Sequence, residues 1–328
     1  MRVFLTVLGD SIRLLRARAL FWVAIGISVL IGLLYLSIGF DEKGMTLLFG
    51  AFNFEESFVA KGSKGAELVY LSIFRTVIVG MWLSWAAIII ALISCAPIFP
   101  DFMQEGSSGV ALSKPVSRPL LFFYKFIGAL LFMAVQASLF AVIVYFAIGW
   151  RVGVWNASIF WCIPILLLVF SYIYAVLVLV GIKTKSVLAS VLMAVVFWLV
   201  CFSLQLGEAS AYQSYRHGIG FMGGILSEEE RKSSERNHMW VNAVYTVMPK
   251  PGETTALLDR WIVLEDGKSL GGSILDAAAK SGGLKGKEEA ATADGMERHS
   301  AGWVIGTSLL FVAFILAVAC RMFSRRDF

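Results

Sequence analysis

Apolar residues fall in six unbroken stretches: Leu20–Phe40, Val77–Phe99, Phe126–Gly149, Ser158–Ile182, Ser186–Leu206 and Ala301–Cys320. Each reaches the ~20 helical residues that cross the hydrocarbon of a bilayer. None contains Asp, Glu, Lys, Arg or His, and the pattern predicts six transmembrane helices. Leu20–Phe40 is too long for the apolar part of a signal peptide, and no A-x-A site follows it, so it reads as a retained span. Before it, Phe4, Leu8, Ile12 and Leu15 share one helical face while Arg2, Thr6, Arg13 and Arg16 share the other. Residues 1–19 are therefore expected to form an amphipathic helix along the membrane surface, with arginines toward anionic lipid. Ser28-x-x-x-Gly32 in the first span is a small-residue pair of the kind that lets helices approach closely.

The connecting segments are uneven. Residues 41–75 form a loop whose Arg75 stands near enough to the second span to snorkel. GWRVGVWN joins spans three and four, with Trp150 and Trp155 as interfacial anchors. Asn156-Ala-Ser matches a glycosylation acceptor, weakly, because it lies so near the membrane. Lys183-Thr-Lys185 is a minimal turn between spans four and five, and Pro164 is expected to kink the fourth. Residues 207–300 are the one large polar region. Ser227 and Glu230 have capping-box spacing at the head of a helix. MPKPGETTALLDRWIVLED then turns into a second short amphipathic segment. From Gly267 onward Gly, Ala, Ser and Lys predict a mobile loop.

Composition agrees with lipid as the main solvent: 58% of the 328 residues are hydrophobic, 16% are charged, and the mean hydropathy is +0.78. Soluble domains are nearer half apolar and a quarter charged. The net charge of +5 would suit nucleic acid, but its distribution points to a membrane. With residues 1–19, 100–125, 183–185 and 321–328 on one side, that side holds 12 cations against 4 acids, and the other holds 16 against 19. Cationic loops stay in the cytoplasm, so both termini are expected there and 207–300 outside. The four cysteines, Cys95, Cys162, Cys201 and Cys320, all lie within spans and read as small buried hydrophobes.

No enzymatic constellation is visible. His217, His238 and His299 are the only histidines, lack metal-ligand spacing, and are expected to be solvated loop residues. Copper is not implied either, since no Met/His/Cys cluster has suitable spacing. H-E-x-x-H, G-x-S-x-G and the phosphate-binding G-x-x-x-x-G-K-[ST] are missing; GGLKGKEE comes nearest to the last and lacks its Ser/Thr. The spans carry no ionisable group for ion coupling. If the chain moves a solute, the energy is expected from another polypeptide.

One segment has the features to receive it. IFPDFMQEGSSGVALSKPVSRPLLFFYKF, Ile98–Phe126, places two acids and three cations between two spans. Gly106 and Gly109 permit a sharp bend. Lys114-Pro115 and Arg118-Pro119 fix the return path, because proline sets its own φ and restricts the residue before it. Asp101–Val110 is expected to be a short helix along the inner face, with Glu105 exposed. A stiff lever needs such geometry-setting residues and a loose tether does not; an ordinary positive-inside loop is the plainer reading of the same composition.

Glu105-Gly106-Ser-Ser-Gly109, followed by Leu112-Ser113-Lys114-Pro115-Val116-Ser117-Arg118 and then Lys125, resembles the first cytoplasmic loop of ABC-2 type transporter permeases. It is most similar to those labelled as serving multicopper-enzyme maturation. Ser108-Gly109-Val110 departs from the Gly-Thr-Leu step usual there. Tyr245–Leu258 is weakly similar to a segment that the family places before its last span. The resemblance implies an all-α, six-helix permease fold in the inner (plasma) membrane, with both termini cytoplasmic; the extracytoplasmic region between helices 5 and 6, 207–300, is enlarged beyond the family's pattern, and nothing about its role carries over from the family. It also implies a homodimeric or heterodimeric permease exporting an amphipathic or lipid-like substrate. ATP would be bound by a separate cytoplasmic ABC subunit rather than by this chain. The coupling residues would be Glu105, Gly106, Gly109, Leu112, Ser113, Lys114, Pro115, Arg118 and Lys125. Glu105 would orient the contact, and Arg118 and Lys125 would brace the loop.

The expected organisation is thus 1–19 as surface helix, 20–206 as helices 1–5 with the coupling segment 100–125, 207–300 outside, and 301–328 as helix 6 and tail. Membrane lipids and the ATPase subunit are the expected partners, nucleic acid is not, and no catalytic or metal site is expected. The alternative is a non-transporting anchor that presents 207–300 to an extracytoplasmic partner.

Overall fold

The computed structural model describes residues 19–42, 44–55, 63–103, 117–218, 227–280, 294–295 and 298–325. The expected surface helix at 1–19 lies outside them, apart from Ala19. Five helical runs are long and apolar enough to cross a membrane: Lys64–Phe102, Arg118–Arg151, Ala157–Thr184, Val187–His217 and Ala301–Ser324. In chain order the elements are α1 (Ala19–Leu36), β1 (Gly39–Asp41), β2 (Gly44–Leu47), β3 (Phe52–Glu55), α2 (Lys64–Ile73), a wider π-helical stretch (Phe74–Ala87), α3 (Ile88–Cys95) and α4 (Ile98–Phe102). Then come α5 (Arg118–Arg151), a 3₁₀ turn (Ala157–Trp161), α6 (Cys162–Thr184), α7 (Val187–His217), α8 (Glu228–Val247), α9 (Pro251–Ala256), α10 (Leu258–Trp261), α11 (Leu270–Lys280) and α12 (Ala301–Ser324).

α6 is the central helix. It packs against α5, α7, α9 and α12, and 72% of its most apolar window is buried, against 22% for α7. Lipid tails are as apolar as leucine, so close packing rather than water exclusion must join such helices. Small residues supply it. A Cβ on Gly32 of α1 would stand 2.8 Å from Ile143 of α5. One turn earlier, Ser28 accepts a hydrogen bond from Gln136 Nε2 at 3.3 Å. The Ser28/Gly32 pair therefore faces α5. The α6–α7 turn falls where Lys183–Lys185 predicted it: Lys185 takes the left-handed conformation (φ 55°), and Ser186 caps α7 by accepting from Ala189 N.

Several boundaries differ from the hydropathy pattern. α1 ends at Leu36 rather than Phe40, because Phe40 joins β1 of a three-stranded antiparallel sheet that the hydropathy pattern did not predict. Its ring meets Tyr70 edge-on at 5.7 Å, and Tyr35 and Tyr70 each donate their hydroxyl to the other's carbonyl. The second helical run starts at Lys64, well before Val77, with Ser63 capping it. It can start early because Glu67, 3% exposed, accepts from the Glu265 backbone N–H at 3.1 Å. α7 runs to His217, past Leu206, and stops at Gly218 (φ 66°). Pro164 stands just past the junction at which the 3₁₀ turn Ala157–Trp161 passes into α6. Part of the expected mobile loop is ordered: α11 follows a bridge between Val263 and Ser269. The capping box at Ser227 and Glu230 is present and opens α8. Asn156 is drawn into the fold by donating to the Val263 carbonyl at 2.7 Å.

Candidate functional site

The bundle has two polar ends. The first lies where α4, the start of α5 and the end of α12 meet. Of the expected coupling residues, Glu105, Gly106, Gly109, Leu112, Ser113, Lys114 and Pro115 lie outside the described residues, as does most of the short helix expected over Asp101–Val110. The structure places Arg118 and Lys125. α5 begins at Arg118 with Pro119 in its first turn, which sets the helical φ without losing a needed N–H. Arg118 Nη1 donates to the Ser324 carbonyl at 3.1 Å, a cation at a helix C-terminus. Lys125, two turns along α5, sets its ammonium 4.2 Å from the Phe102 ring centre.

Between these cations sits an aromatic cluster that the sequence reading did not single out. Phe323 of α12 lies 6.2 Å from Phe99, 5.9 Å from Phe102 and 5.9 Å from Phe122, centre to centre. Phe99 and Phe122 are 5.3 Å apart. Phe99, Phe122 and Phe323 are buried. The two ends of segment 104–116 are thus clamped to each other and to the last helix. The available signal was the density of phenylalanine at the rims of the second and third spans (Phe99, Phe102, Phe122, Phe123). Their convergence with Phe323 is a tertiary fact.

The opposite end carries a network of charges between α7, α8, α9 and α12. Glu208, 1% exposed, is paired with Arg298 and lies 3.5 Å from His238. The Arg298 guanidinium stacks 3.6 Å above Tyr212, and His238 stacks on Tyr215. Arg298 Nη2 is 2.9 Å from His238 Nε2. Asp294 accepts from the Tyr212 hydroxyl at 2.6 Å and meets His217 at 3.1 Å, and these contacts hold its carboxyl below the usual range. His299 meets Glu253 at 3.0 Å and stacks on Trp303 at 4.1 Å. All three histidines are therefore largely buried and paired with carboxylates, not solvated in loops. Hydropathy could not show this, since the carboxylate partners of His238, His299 and His217 lie 30, 46 and 77 residues away in the chain.

Lys250 is the most enclosed of these groups, 0% exposed. Its ammonium donates to the Thr246 and Met248 carbonyls at 3.2 and 2.9 Å and to Thr307 Oγ1 at 3.0 Å. The Trp303 ring centre is 4.5 Å away. Burial pulls its pKa down to about 8, with Glu253 working the other way. Burial likewise raises the Tyr245 hydroxyl. Every donor of the ammonium has an acceptor, so Lys250 ties the end of α8 to α12 rather than standing ready as a base.

No family model, curated protein or solved structure matches this chain. Arg75, expected only to snorkel, instead forms a two-point ion pair with Asp259 at 2.6 and 2.9 Å. The pair lines a cleft with Thr76, Gly80, Met81, Gly271 and Ile274. Among the described residues no group of His, Cys, Asp and Glu has the arrangement of a metal centre. The described residues thus show an aromatic clamp at one end and a set of ionic ties at the other.

Proposed function

We propose that the chain is the membrane-spanning permease subunit of an ATP-driven ABC-2 type exporter. In this reading α1 is a sixth span, both termini are cytoplasmic, and 100–125 couples to a separate ATP-binding subunit. The permease pairs with a second permease subunit, identical or different, in the cell membrane and moves an amphipathic or lipid-like substrate. Three things support it: the Leu112–Arg118 motif, the charge asymmetry, and the clamp. The clamp carries most weight. A load delivered to α4 and the start of α5 passes to α12, because Arg118 holds the end of α12 and Phe99, Phe102 and Phe122 close around Phe323. Closure of the ATPase would then tilt α4, α5 and α12 together. The ionic ties at the far end would keep α7, α8 and α12 moving as a unit.

Purification of the tagged chain from its native membrane is expected to bring down a nucleotide-hydrolysing protein whose activity the chain stimulates. Glu105→Arg should leave insertion intact and abolish the stimulation. Unchanged stimulation would refute the coupling role. The anchor reading has one observation of its own: α8 exposes Trp240, Val244 and Val247 at the helical spacing of a single stripe. Recovery of an extracytoplasmic protein with no ATPase would favour it.

A further inference from the structure

The sheet β1–β3 has two unlike faces. Residues directly opposite in an antiparallel pair point the same way, and the register sets Phe40 against Met45, Met45 against Phe54 and Leu47 against Phe52. Phe40, Met45, Leu47, Phe52 and Phe54 therefore share one face. Gly39, Thr46 and Asn53 share the other. The apolar face begins as protein interior: Phe40 is 4% exposed, and Met45 packs on the helical core. It then continues outward uncovered. Phe52 and Phe54, on the edge strand, are 59% and 50% exposed.

The β2–β3 turn continues the pattern. Leu48 and Phe49 both take positive φ, 51° and 58°, a conformation uncommon for bulky residues that persists where the surroundings impose it. The Phe49 backbone N–H bonds to the Ser37 carbonyl at 3.0 Å, so the turn folds back over the end of α1. The strained pair presents two large apolar side chains, half to two-thirds exposed. In water, an edge strand and turn with this surface would be an aggregation site.

The neighbours say what covers it. The Arg151 guanidinium, at the end of α5, lies 5.2 Å from the Phe49 ring centre, while Arg151 Nε donates to the Leu36 carbonyl. Trp150, Trp155 and Phe146, at the same end of α5, are all more than half exposed. Exposed aromatics at the end of an apolar helix mark the boundary between headgroups and hydrocarbon. The apolar face of the sheet is continuous with that belt.

We propose that the sheet is a lipid-contacting paddle: Leu48, Phe49, Phe52 and Phe54 lie in the headgroup–acyl boundary of the leaflet at this end of the bundle, and Thr46 and Asn53 face away from lipid. The occupant is the bilayer itself, not a second protein. The paddle would fix the depth and tilt of α1 and α2, between which it is strung. The inference rests on the membrane-spanning reading of the helices and is independent of transport.

Nitroxide labels on Phe52→Cys, Asn53→Cys and Phe54→Cys in the full chain, reconstituted into phosphatidylcholine vesicles, test it. The unsubstituted chain gives the background from the native thiols. Collision with dissolved oxygen should exceed collision with a water-soluble nickel chelate at 52 and 54, and the reverse should hold at 53. Leu48→Cys offers a second apolar position with the same expected answer should a strand substitution disturb the fold. Preferential collision with nickel at all positions, as for a label at the exposed Glu42, would overturn the proposal. So would shielding of 52 and 54 from both reagents, which would mean that protein covers the face.

Discussion

Replacing Lys250 by methionine isolates the cost of burying a charge at the far end of the bundle. The native ammonium is depressed from 10.5 to about 8 by desolvation. At ~1.4 kcal/mol per unit, the charged form is about 3 kcal/mol less favourable in the fold than in water. Because the folded-state value lies below the unfolded one, the unfolded chain keeps a proton that the folded chain releases from about pH 8 to about pH 10.5. Stability is lowest below that window and rises across it by up to about 3 kcal/mol. Methionine keeps the length of the side chain and removes the charge, but strips donors from the Thr246 and Met248 carbonyls. Unsatisfied buried groups cost ~1–3 kcal/mol each, so with the relieved charge set against the two carbonyls the variant should lie within about 3 kcal/mol of the native chain near neutral pH. The native chain should then gain on it as pH rises. Equilibrium unfolding in mixed detergent micelles, followed by far-UV ellipticity at several pH values between about 7.5 and 10, reads the difference. Parallel stabilities across that range, or a native chain that loses ground, would refute the reasoning.

Arg298→Leu should cost about 3–5 kcal/mol, because it leaves the enclosed Glu208 carboxylate without its cation. Adding Glu208→Gln should recover part of the loss, and a double-mutant cycle measures the coupling; strict additivity would show that the pair is not a unit. Phe323→Ala should cost about 3–5 kcal/mol by opening a cavity among buried rings. In the exporter reading it should also weaken stimulation of the ATPase in assembled complexes that remain folded, measured as ATP turnover against the native permease.

Spans were legible where a helix has nothing but hydrocarbon or apolar neighbours to satisfy. There the only requirement is uncharged residues in sufficient number, and Phe126–Gly149, Ser158–Ile182 and Ala301–Cys320 all fall within observed helices. Helix punctuation by a residue's own backbone preference or local cap was legible too, as at Lys183–Lys185 and at Ser227 with Glu230. At the clamp, the sequence marked Arg118 and Lys125 but not their acceptors, because Ser324 and Phe102 become neighbours only when α12 and α4 pack on α5.

Wherever polar residues end a hydropathy pattern, only the tertiary structure decided the outcome. Glu67, Arg75, Glu208 and His217 look like the ends of spans, yet each lies inside a helix because a partner from elsewhere satisfies it: the Glu265 N–H, Asp259, Arg298 and Asp294. Phe40 looks like the end of a span and is instead the first packed residue of a sheet. Composition fixes which residues tolerate lipid. Which charges can leave water depends on what the fold sets opposite them, and no local pattern encodes that pairing.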